Sequence, residues 1–260
     1  MIRAGIGGWN FEPWRGVFFP KGTPKSRELA YASRALNTLE VNGTFYSTFK
    51  PHTFRKWHDE TPDDFVFSLK ANRFATNRKV LAEAKPSIDR FLESGVTELK
   101  GKLGPILWQF MHTKKFDAAD FEAFLALLPG SIDGIALRHA VEPRHESFKT
   151  EHFVELARKY GAAIVYADSK KFPAIADATA DFVYCRLQET TEKVKTGYGP
   201  AAIKQWADAA KAWEVGGTPK GMKLLAKVPA KKKRDVYVYF IAGAKVRNPA
   251  AAAAFLKAVG

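Results

Sequence analysis

The sequence predicts a (β/α)8 TIM barrel, an α/β fold that is formed here by a single domain. Short runs of β-branched and aromatic residues alternate with helical stretches along the whole chain, and this alternation is typical of parallel sheets with right-handed crossovers. Eight such strands in about 250 residues fit a closed barrel better than an open, doubly wound sheet. No Gly-x-Gly-x-x-Gly motif follows a strand, which weakens the nucleotide-binding alternative.

Turn or cap residues bound each predicted strand. The eight strands are Arg3–Gly7, Thr38–Asn42, Phe65–Lys70, Ile106–Phe110, Ala140–Arg144, Ala163–Asp168, Phe182–Gln188 and Asp235–Ile241. About eight helical connections are expected between and after them. Thr23-Pro24 and Asn248-Pro249 each combine a cap residue with proline at the first helical position, which is typical of a helix start. Other helices are expected to begin at Asp117, Thr150 and Gly199.

The composition is that of an ordinary globular chain with a strong excess of positive charge. Of the 260 residues, 46% are hydrophobic and 26% are charged, so the chain is able to bury a core without disulfide or metal staples. Cys185 is the only cysteine, which excludes an intramolecular disulfide and a cysteine-based zinc site. Forty-one basic residues against 27 acidic ones give a net charge of +14, which favours anionic partners.

The first residues predict neither a signal peptide nor a membrane anchor. Glycines interrupt the segment from Met1 to Trp9, which is interpreted as the start of a strand. No stretch approaches the roughly twenty apolar residues that cross a bilayer. We therefore expect a cytoplasmic protein without a membrane partner.

Polar residues stand near the ends of most predicted strands. Because barrel strands bury both faces, such residues are conspicuous among their apolar neighbours. The period of two places Glu40 and Asn42 on one face of strand two, and Ser68 and Lys70 on one face of strand three. The other strands contribute Gln109, Glu142, Arg144, Asp168, Tyr184, Arg186 and Gln188. The C-terminal strand ends form the active-site face of this fold, so we expect these side chains to converge there.

Acid–base catalysis is the chemistry that this ring favours. The predicted catalytic residues are Glu40, Lys70, Glu142, His145 and Asp168. Glu142 is a candidate base, and His145 or a neighbouring acid is a candidate proton donor to a leaving group. A lysine such as Lys70 is also able to form a Schiff base if its pKa is lowered. The simpler alternative is that these charges only neutralise one another, since burying unpaired ionisable groups costs several kcal/mol each.

The cations and aromatic residues of the same face predict an anionic substrate, small or polymeric. Arginine binds carboxylates and phosphates in a bidentate manner. The predicted substrate-binding residues are Trp9, Trp14, Asn42, Tyr46, Gln109, Arg144, Arg186 and Tyr198.

No cofactor is predicted. A divalent metal would use Glu40, Glu142, Asp168 and His145, since carboxylates and imidazole are common metal ligands. The basic residues Lys70, Arg144 and Arg186 compete for the same carboxylates, and no clustered histidine motif supports a metal.

The most basic part of the chain is the segment from Val215 to Arg234, which contains no acidic residue. Such runs are usually solvated loops, but the net charge of the chain supports a polyanion partner. The predicted nucleic-acid-binding residues are Lys227, Lys231, Lys232, Lys233 and Arg234. The apolar stretch Met222–Leu225 is a candidate for an extra β-hairpin.

Several motifs occur in an order that is specific to one family. They are Trp9-x4-Trp14-Arg15-Gly16-Val17-Phe18-Phe19-Pro20, Leu39-Glu40-Val41-Asn42-Gly43-Thr44-Phe45-Tyr46, Thr61-Pro62-x-x-Phe65-x-Phe67-Ser68-x-Lys70-Ala71, Leu107-Trp108-Gln109, Ala140-Val141-Glu142-x-Arg144-His145, Tyr184-x-Arg186-Leu187 and Tyr237-x-Tyr239-Phe240. With these motifs the chain resembles the YecE-like family (domain of unknown function 72) over essentially its whole length. The resemblance implies a TIM barrel related in shape to xylose-isomerase-like and endonuclease-type barrels, and it implies no established activity.

The chain also departs from the family pattern near the predicted site. The family usually has Thr-His where this chain has Thr76-Asn77, and Gln-Leu-Pro-Pro where it has Gln109-Phe110-Met111-His112. A usual histidine is replaced by Gln188, and a usual pair of asparagines by Ile241-Ala242. If the family site is catalytic, these losses indicate a narrowed or lost activity.

Two functional hypotheses follow from the sequence. The first is a hydrolase- or lyase-type enzyme that acts on an anion such as a phosphate ester. The second is a non-catalytic nucleic-acid-binding module, in which the C-terminal barrel face and the basic segment form one surface.

Overall fold

Eight parallel strands form a closed barrel in the computed structural model, which describes residues 1–260. The strands are β1 (Ile2–Gly7), β2 (Thr38–Val41), β3 (Val66–Lys70), β4 (Leu103–Gln109), β5 (His139–Glu142), β6 (Ala163–Asp168), β7 (Phe182–Leu187) and β8 (Asp235–Phe240). Each strand pairs with the next along the chain, and β8 pairs with β1. The predicted fold class is therefore confirmed. The largest difference in a strand boundary is in β4, which begins at Leu103 rather than at Ile106.

Nine α-helices lie in the connections and at the end of the chain. They are α1 (Glu28–Ala35), α2 (Gly43–Tyr46), α3 (Pro51–Glu60), α4 (Arg73–Thr76), α5 (Lys85–Leu92), α6 (Ala118–Ala126), α7 (Glu151–Lys159), α8 (Pro200–Glu214) and α9 (Asn248–Val259). Asp117 and Thr150 cap α6 and α7, since their side-chain oxygens accept hydrogen bonds from the first-turn amides. No helix combines the length and hydropathy that a membrane crossing requires.

Side-chain alternation along the strands divides the core into two layers. A cluster of 54 buried residues packs between the strands and the helices, and it includes Phe67, Trp108 and Cys185. A cluster of 11 residues, among them Tyr184 and Tyr239, fills the barrel interior. Cys185 thus faces the helices, and burial raises the pKa of its thiol well above the usual range.

The connection between β6 and β7 contains no helix, so the expectation of a helix in every connection is wrong at this place. Two aromatic residues of α8 cover β6 instead. The ring of Tyr166 lies 5.8 Å from that of Trp206 and 5.7 Å from that of Trp213, measured between centroids. Because α8 reaches across two strands, the barrel wall stays covered without a helix after β6.

The basic segment Val215–Arg234 forms a closed loop without strands or helices, so the expected β-hairpin is absent. The only short hairpin of the structure is elsewhere, between Ser131–Ile132 and Ile135–Ala136. The ends of the basic segment meet, since the amide of Arg234 donates to the carbonyl of Glu214 over 2.9 Å.

A buried carboxylate holds the middle of the basic segment against the β6–β7 connection. Asp177 is 2% exposed, and its two oxygens accept hydrogen bonds from the amides of Leu225 (2.9 Å) and Ala226 (3.1 Å). The segment ends where β8 begins, so its last residues lie at the N-terminal ends of the strands. We call this end of the barrel the base, and the opposite end, where the strands finish, the mouth.

Candidate functional site

Five strands bring charged or amide side chains together inside the mouth. The residues are Glu40 of β2, Lys70 of β3, Gln109 of β4, Glu142 of β5 and Arg186 of β7. Each lies within the last two residues of its strand, and none is more than 6% exposed. Strand polarity and the period of two place them on the inner face of the barrel, since every barrel strand ends at the same side.

Arg186 is the centre of this cluster and joins two fully buried carboxylates. Its Nε and Nη2 atoms donate to the two oxygens of Glu40 over 3.0 and 2.9 Å. Its Nη1 atom donates to both oxygens of Glu142 over 2.9 and 2.7 Å. A guanidinium has the planar geometry for such paired contacts. The bridge offsets part of the cost of burying the two carboxylates, since one guanidinium carries one positive charge against their two negative charges.

Hydroxyl groups form a layer beneath the carboxylates. The Oη atom of Tyr184 donates to Glu40 Oε2 over 2.8 Å and lies 2.8 Å from Ser68 Oγ. Deeper in the barrel, the hydroxyls of Thr38 and Tyr239 are 2.8 Å apart. These contacts fix the orientation of Glu40 from below and close the floor of the mouth.

The charge balance keeps Glu142 ionised. Burial alone raises the pKa of Glu142, but the positive charges of Arg186 and Arg144 and the hydrogen bond from Gln109 outweigh burial and lower the pKa to about 2. The Nε2 atom of Gln109 donates to Glu142 Oε2 over 2.6 Å. A carboxylate with so low a pKa is a weak base at neutral pH. The geometry therefore argues against Glu142 as the base that the sequence analysis favours.

Lys70 is the group in the mouth without a polar partner. Its Nζ atom lies 3.9 Å from the centroid of the Phe45 ring, and its ammonium forms neither a hydrogen bond nor an ion pair. Burial and the positive charge of Arg186 lower the pKa of Lys70 to about 8, against smaller opposing effects of Glu40 and Glu142. Lys70 is thus close to titration at neutral pH.

A cavity of about 380 Å³ opens above the cluster. Three cations line it, Arg144, Arg186 and Lys245, and no carboxylate does. Asn42 and Tyr46 lie on the side of β2, and Gln188 follows β7. The Nε2 atom of Gln188 is buried and has no hydrogen-bond partner. The lining therefore offers donors and positive charge to a ligand.

Lys245 and Asn248 belong to this lining, and the sequence analysis did not select them. The Nζ atom of Lys245 lies 4.3 Å from the centroid of Phe11, and burial lowers the pKa of this lysine. Asn248 is expected only as a helix cap, but it follows Arg247, which occupies the cap position, and it lines the cavity. The available signal was their position after β8, because the loops after strands seven and eight of TIM barrels frequently bind phosphate.

Asp168 and Tyr198 do not join the cluster, so their expected place in the mouth is wrong. The register pairs Ala167 with the inward-facing Arg186 and pairs Asp168 with Leu187, so Asp168 faces the helices. Its Oδ2 atom accepts a hydrogen bond of 2.5 Å from Tyr198 Oη. Burial raises the pKa of Asp168. The two residues form a separate, partly buried pair.

His145 does not join the cluster either. Its Nδ1 atom accepts a hydrogen bond of 3.2 Å from the amide of Ser147 and caps the turn Glu146–Phe148. The imidazole contacts neither Glu142 nor Lys70, so the structure gives it a local role in the loop. The expected proton donor is thus absent from the mouth.

Trp9 and Trp14 support the site from behind and do not line the cavity. The ring of Trp9 packs edge-on against Trp57, with centroids 5.3 Å apart. Trp14 is fully buried, and its Nε1 atom donates to the carbonyl of Lys245 over 2.9 Å. The structure thus places neither Trp9 nor Trp14 in the lining of the cavity, and Trp14 positions the backbone of Lys245.

The candidate metal ligands are likewise separated. Asp168 and His145 lie away from Glu40 and Glu142, whose oxygens all bond to Arg186. The structure contains no group of three or more His, Cys, Asp or Glu side chains that could hold a metal ion.

Three of the positions at which the chain departs from the family pattern line the cavity. They are Gln188, Ile241 and Ala242. Asn77 instead ends the short helix α4, outside the cavity lining. These three positions thus lie in the wall of the cavity and not among the charged residues of its floor.

The basic segment and the mouth lie at opposite ends of the barrel. Arg234 directly precedes the first residue of β8, whereas the mouth residues stand at the last residues of their strands. The expected single surface that combines the mouth with Lys227, Lys231, Lys232, Lys233 and Arg234 is therefore wrong, because the length of the barrel separates the two regions.

Comparison with known proteins identifies the family. Residues 3–260 match the family model described as "Protein of unknown function DUF72". The chain is 28% identical over 151 residues to UPF0759 protein YecE of Escherichia coli K12, a match that covers 57% of the chain and 50% of that relative. The chain thus spans about half the length of the curated relative that it matches.

Solved structures with the same fold are similar over almost the full length. A DUF72 family protein from Thermotoga maritima has a TM-score of 0.76 at 24% identity and covers 99% of this chain and 98% of its own. D-psicose 3-epimerase, solved in the presence of D-fructose, has a TM-score of 0.52 at 13% identity over 96% of this chain and 89% of its own. At these identities the similarity shows the fold alone. From the family match over residues 3–260, the chain belongs to the DUF72 family.

Proposed function

We propose that the protein binds a small anionic substrate, such as a phosphate ester, in the cavity of the mouth. We further propose that it acts on this substrate by acid–base chemistry of the hydrolase or lyase type, with Lys70 as the residue that transfers the proton. The observation that carries the proposal is the lining of the cavity, which has three cations and no carboxylate.

The balance of charge supports an anion. Glu40 and Glu142 lie on the floor and are saturated by Arg186. Arg144 has a long contact of 3.3 Å to Glu142 and is 23% exposed, so its guanidinium keeps donors for a ligand. In a partly desolvated cavity, such cations attract an oxyanion more strongly than they would in water.

The position of the cavity supports a phosphate group in particular. The cavity lies at the loops after β7 and β8, beside the short helical turn Lys245–Arg247. Phosphate sites of TIM barrels frequently use these two loops and a short extra helix. The unpartnered Nε2 of Gln188 adds a donor, and a ligand oxygen would remove the cost of leaving that donor unpaired.

Lys70 is our candidate for the proton-transfer group because of its pKa, and it belongs to the charged cluster beneath the cavity rather than to the cavity lining. Its pKa of about 8 makes a fraction of the amine neutral at pH 7, whereas the pKa of Glu142 is about 2. General acid–base catalysis is most effective when the pKa lies near the working pH. In a lyase reaction the neutral amine takes a proton from the substrate as the double bond forms, and the ammonium protonates the leaving group. In hydrolysis the amine takes the proton from the attacking water instead.

Titration calorimetry with inorganic phosphate tests the binding site. Arg144→Gln should weaken binding by about tenfold or more, because a charge-assisted hydrogen bond is worth roughly 1.5–3 kcal/mol. Lys204→Gln is the matched control, since it removes one positive charge from an exposed position of α8. Equal losses of phosphate affinity in the two variants would show that only net charge matters, and would refute the cavity as the binding site.

Competitive acetylation of lysines tests the role of Lys70. Labelling of Lys70 measured by mass spectrometry from pH 6 to pH 10 should follow a pKa near 8, and inorganic phosphate should slow it. Lys204, which is exposed on α8, serves as the reference lysine. If Lys70 reacts with the same pH profile as Lys204, with or without phosphate, Lys70 is not the proton-transfer group.

A further inference from the structure

A second basic cavity lies at the base of the barrel, far from the mouth. It measures about 520 Å³ and lies between the end of α7, the β6–β7 connection and the end of the basic segment. Its lining contains three cations, Arg158, Lys232 and Arg234. The one carboxylate of the lining belongs to Asp181, whose side chain is exposed.

Arg158 has unused donors at this place. Its Nε and Nη2 atoms are buried and have no hydrogen-bond partner. The Asp177 carboxylate lies 3.7 Å from Nη2, too far for a hydrogen bond. The oxygens of Asp177 already accept the amides of Leu225 and Ala226. The Arg158 side chain is 24% exposed, but its two buried donors without partners are unfavourable unless something else binds to them.

Arg234 lies beside Arg158 and also has no carboxylate partner. It is 5% exposed, and its Nε and Nη1 atoms donate only to the backbone carbonyls of Ala180 (3.2 Å) and Lys232 (3.3 Å). Burial and the positive charge of Arg158 lower the pKa of Arg234. Two guanidiniums thus repel each other across the same cavity.

We infer that this base cavity is an oxyanion site that takes a phosphate group between Arg158 and Arg234, with Lys232 at its rim. A phosphate oxygen satisfies the idle donors of Arg158 and screens the repulsion between the two guanidiniums. The orientation of the fold places this site at the opposite end from the mouth, so it does not depend on the proposed catalytic function.

The ligand class is a phosphate monoester or diester. Lys231 and Lys233 flank Lys232 on the same segment and are exposed, which suits the repeated phosphates of a nucleic-acid backbone. A free phosphate ester presents the same oxygens to Arg158 and Arg234. The test therefore needs one arm for each source.

The first arm uses inorganic phosphate and the arginine Nε–H signals in a ¹⁵N–¹H NMR spectrum. The Nε–H signal of Arg158 should shift on addition of phosphate in the wild type and equally in Arg144→Gln, which alters only the mouth. Lys232→Gln should weaken this response about threefold to tenfold, whereas Lys204→Gln should leave it unchanged. This readout uses the folded wild-type protein, so it stands even if a variant at Arg158 fails to fold.

The second arm uses a fluorescein-labelled single-stranded DNA of about ten nucleotides and measures its anisotropy. If a nucleic-acid backbone is the source, Arg158→Gln and the double variant Lys231→Gln/Lys233→Gln each weaken binding. The slope of log affinity against log salt then falls by about 0.7 for each lost contact. If a free ester is the source, inorganic phosphate still shifts the Nε–H signal of Arg158, and these variants bind the DNA as the wild type does.

Both of those results support an oxyanion site and differ only in where the phosphate comes from. The inference is overturned if the Arg158 Nε–H signal does not respond to phosphate. It is also overturned if Lys204→Gln weakens that response as much as Lys232→Gln does. Loss of phosphate binding at the mouth alone, seen in Arg144→Gln, leaves this site unaffected and counts only against the proposed function.

Discussion

At the mouth, Arg186 lies between two buried carboxylates, whereas at the base Arg158 and Arg234 share a cavity with one exposed carboxylate. The mouth arginine uses all three of its nitrogens in ion pairs. At the base, Arg234 hydrogen-bonds only to backbone carbonyls, and Arg158 leaves Nε and Nη2 without a hydrogen bond, with the Asp177 carboxylate 3.7 Å away. Both ends of the barrel thus hold guanidiniums, but only at the mouth do carboxylates of the chain hydrogen-bond to them.

The difference indicates two uses of buried positive charge. Cations that are paired with carboxylates stabilise the fold, so removing them should first lower the free energy of unfolding. Cations without a hydrogen-bonded carboxylate partner are available to a ligand, so removing them should first weaken ligand binding. The following predictions test this division, from the largest expected effect to the smallest.

The largest effect is expected from Arg186→Met. This change leaves Glu40 and Glu142 buried without a counter-charge, and breaking such a pair costs about 3–5 kcal/mol for each carboxylate that remains. Urea denaturation should show a severe loss in the free energy of unfolding. The triple variant Glu40→Gln/Glu142→Gln/Arg186→Met should recover most of it, because neither buried carboxylate is then left without its counter-charge. If the single and triple variants are equally unstable, packing and not charge explains the loss.

A smaller effect, dependent on pH, is expected from Lys70→Met. The pKa of Lys70 is about 8 in the folded protein and about 10.4 when unfolded. Between these values the unfolded chain binds more protons, so the wild type gains stability as pH rises. Below pH 8 the buried ammonium costs on the order of 3 kcal/mol, and Lys70→Met removes that cost.

The measurement for Lys70 is the free energy of unfolding at pH 7 and at pH 10. Lys70→Met should exceed the wild type at pH 7, and the advantage should shrink by pH 10. Lys204→Met, at an exposed position of α8, serves as the control. Its free energy of unfolding should change between pH 7 and pH 10 as that of the wild type does. If the free energy of unfolding of Lys70→Met also differs from that of the wild type by the same amount at both pH values, Lys70 is not desolvated.

The smallest effect on stability is expected at the base. Lys231→Gln/Lys233→Gln changes two exposed side chains of the basic segment, so the free energy of unfolding should change by less than about 0.5 kcal/mol for each substitution. Thermal or urea unfolding measures it. A loss comparable to that of Arg186→Met would abolish the distinction between the two ends of the barrel.

Most of the fold was predictable because it depends on local patterns. Each strand combines β-branched or aromatic residues with clear boundaries, and alternation then determines which side chains face inward. The convergence of Glu40, Lys70, Gln109, Glu142 and Arg186 follows from these two rules and the common direction of the strands. The location of the basic segment follows as well, since a connection that leads into a parallel strand ends at the base.

The remaining features depend on contacts that a linear pattern does not contain. Asp168 ends its strand like the others, but its pairing with Leu187 determines that it faces outward. The weak basicity of Glu142 comes from Arg186, 44 residues away. Lys245 follows the last strand in a loop without regular alternation, so only the closed barrel brings it to the cavity.

The bridge at the mouth also constrains how the chain folds. Arg186 is separated from Glu40 by 146 residues and from Glu142 by 44, so no early segment is able to neutralise these carboxylates. A folding intermediate that contains only β1 to β4 would hold Glu40 without its guanidinium. The mouth end of this intermediate would stay hydrated. Water must therefore leave the barrel interior at the same step in which β7 packs against the other strands. Such a late, long-range step is expected to limit the folding rate.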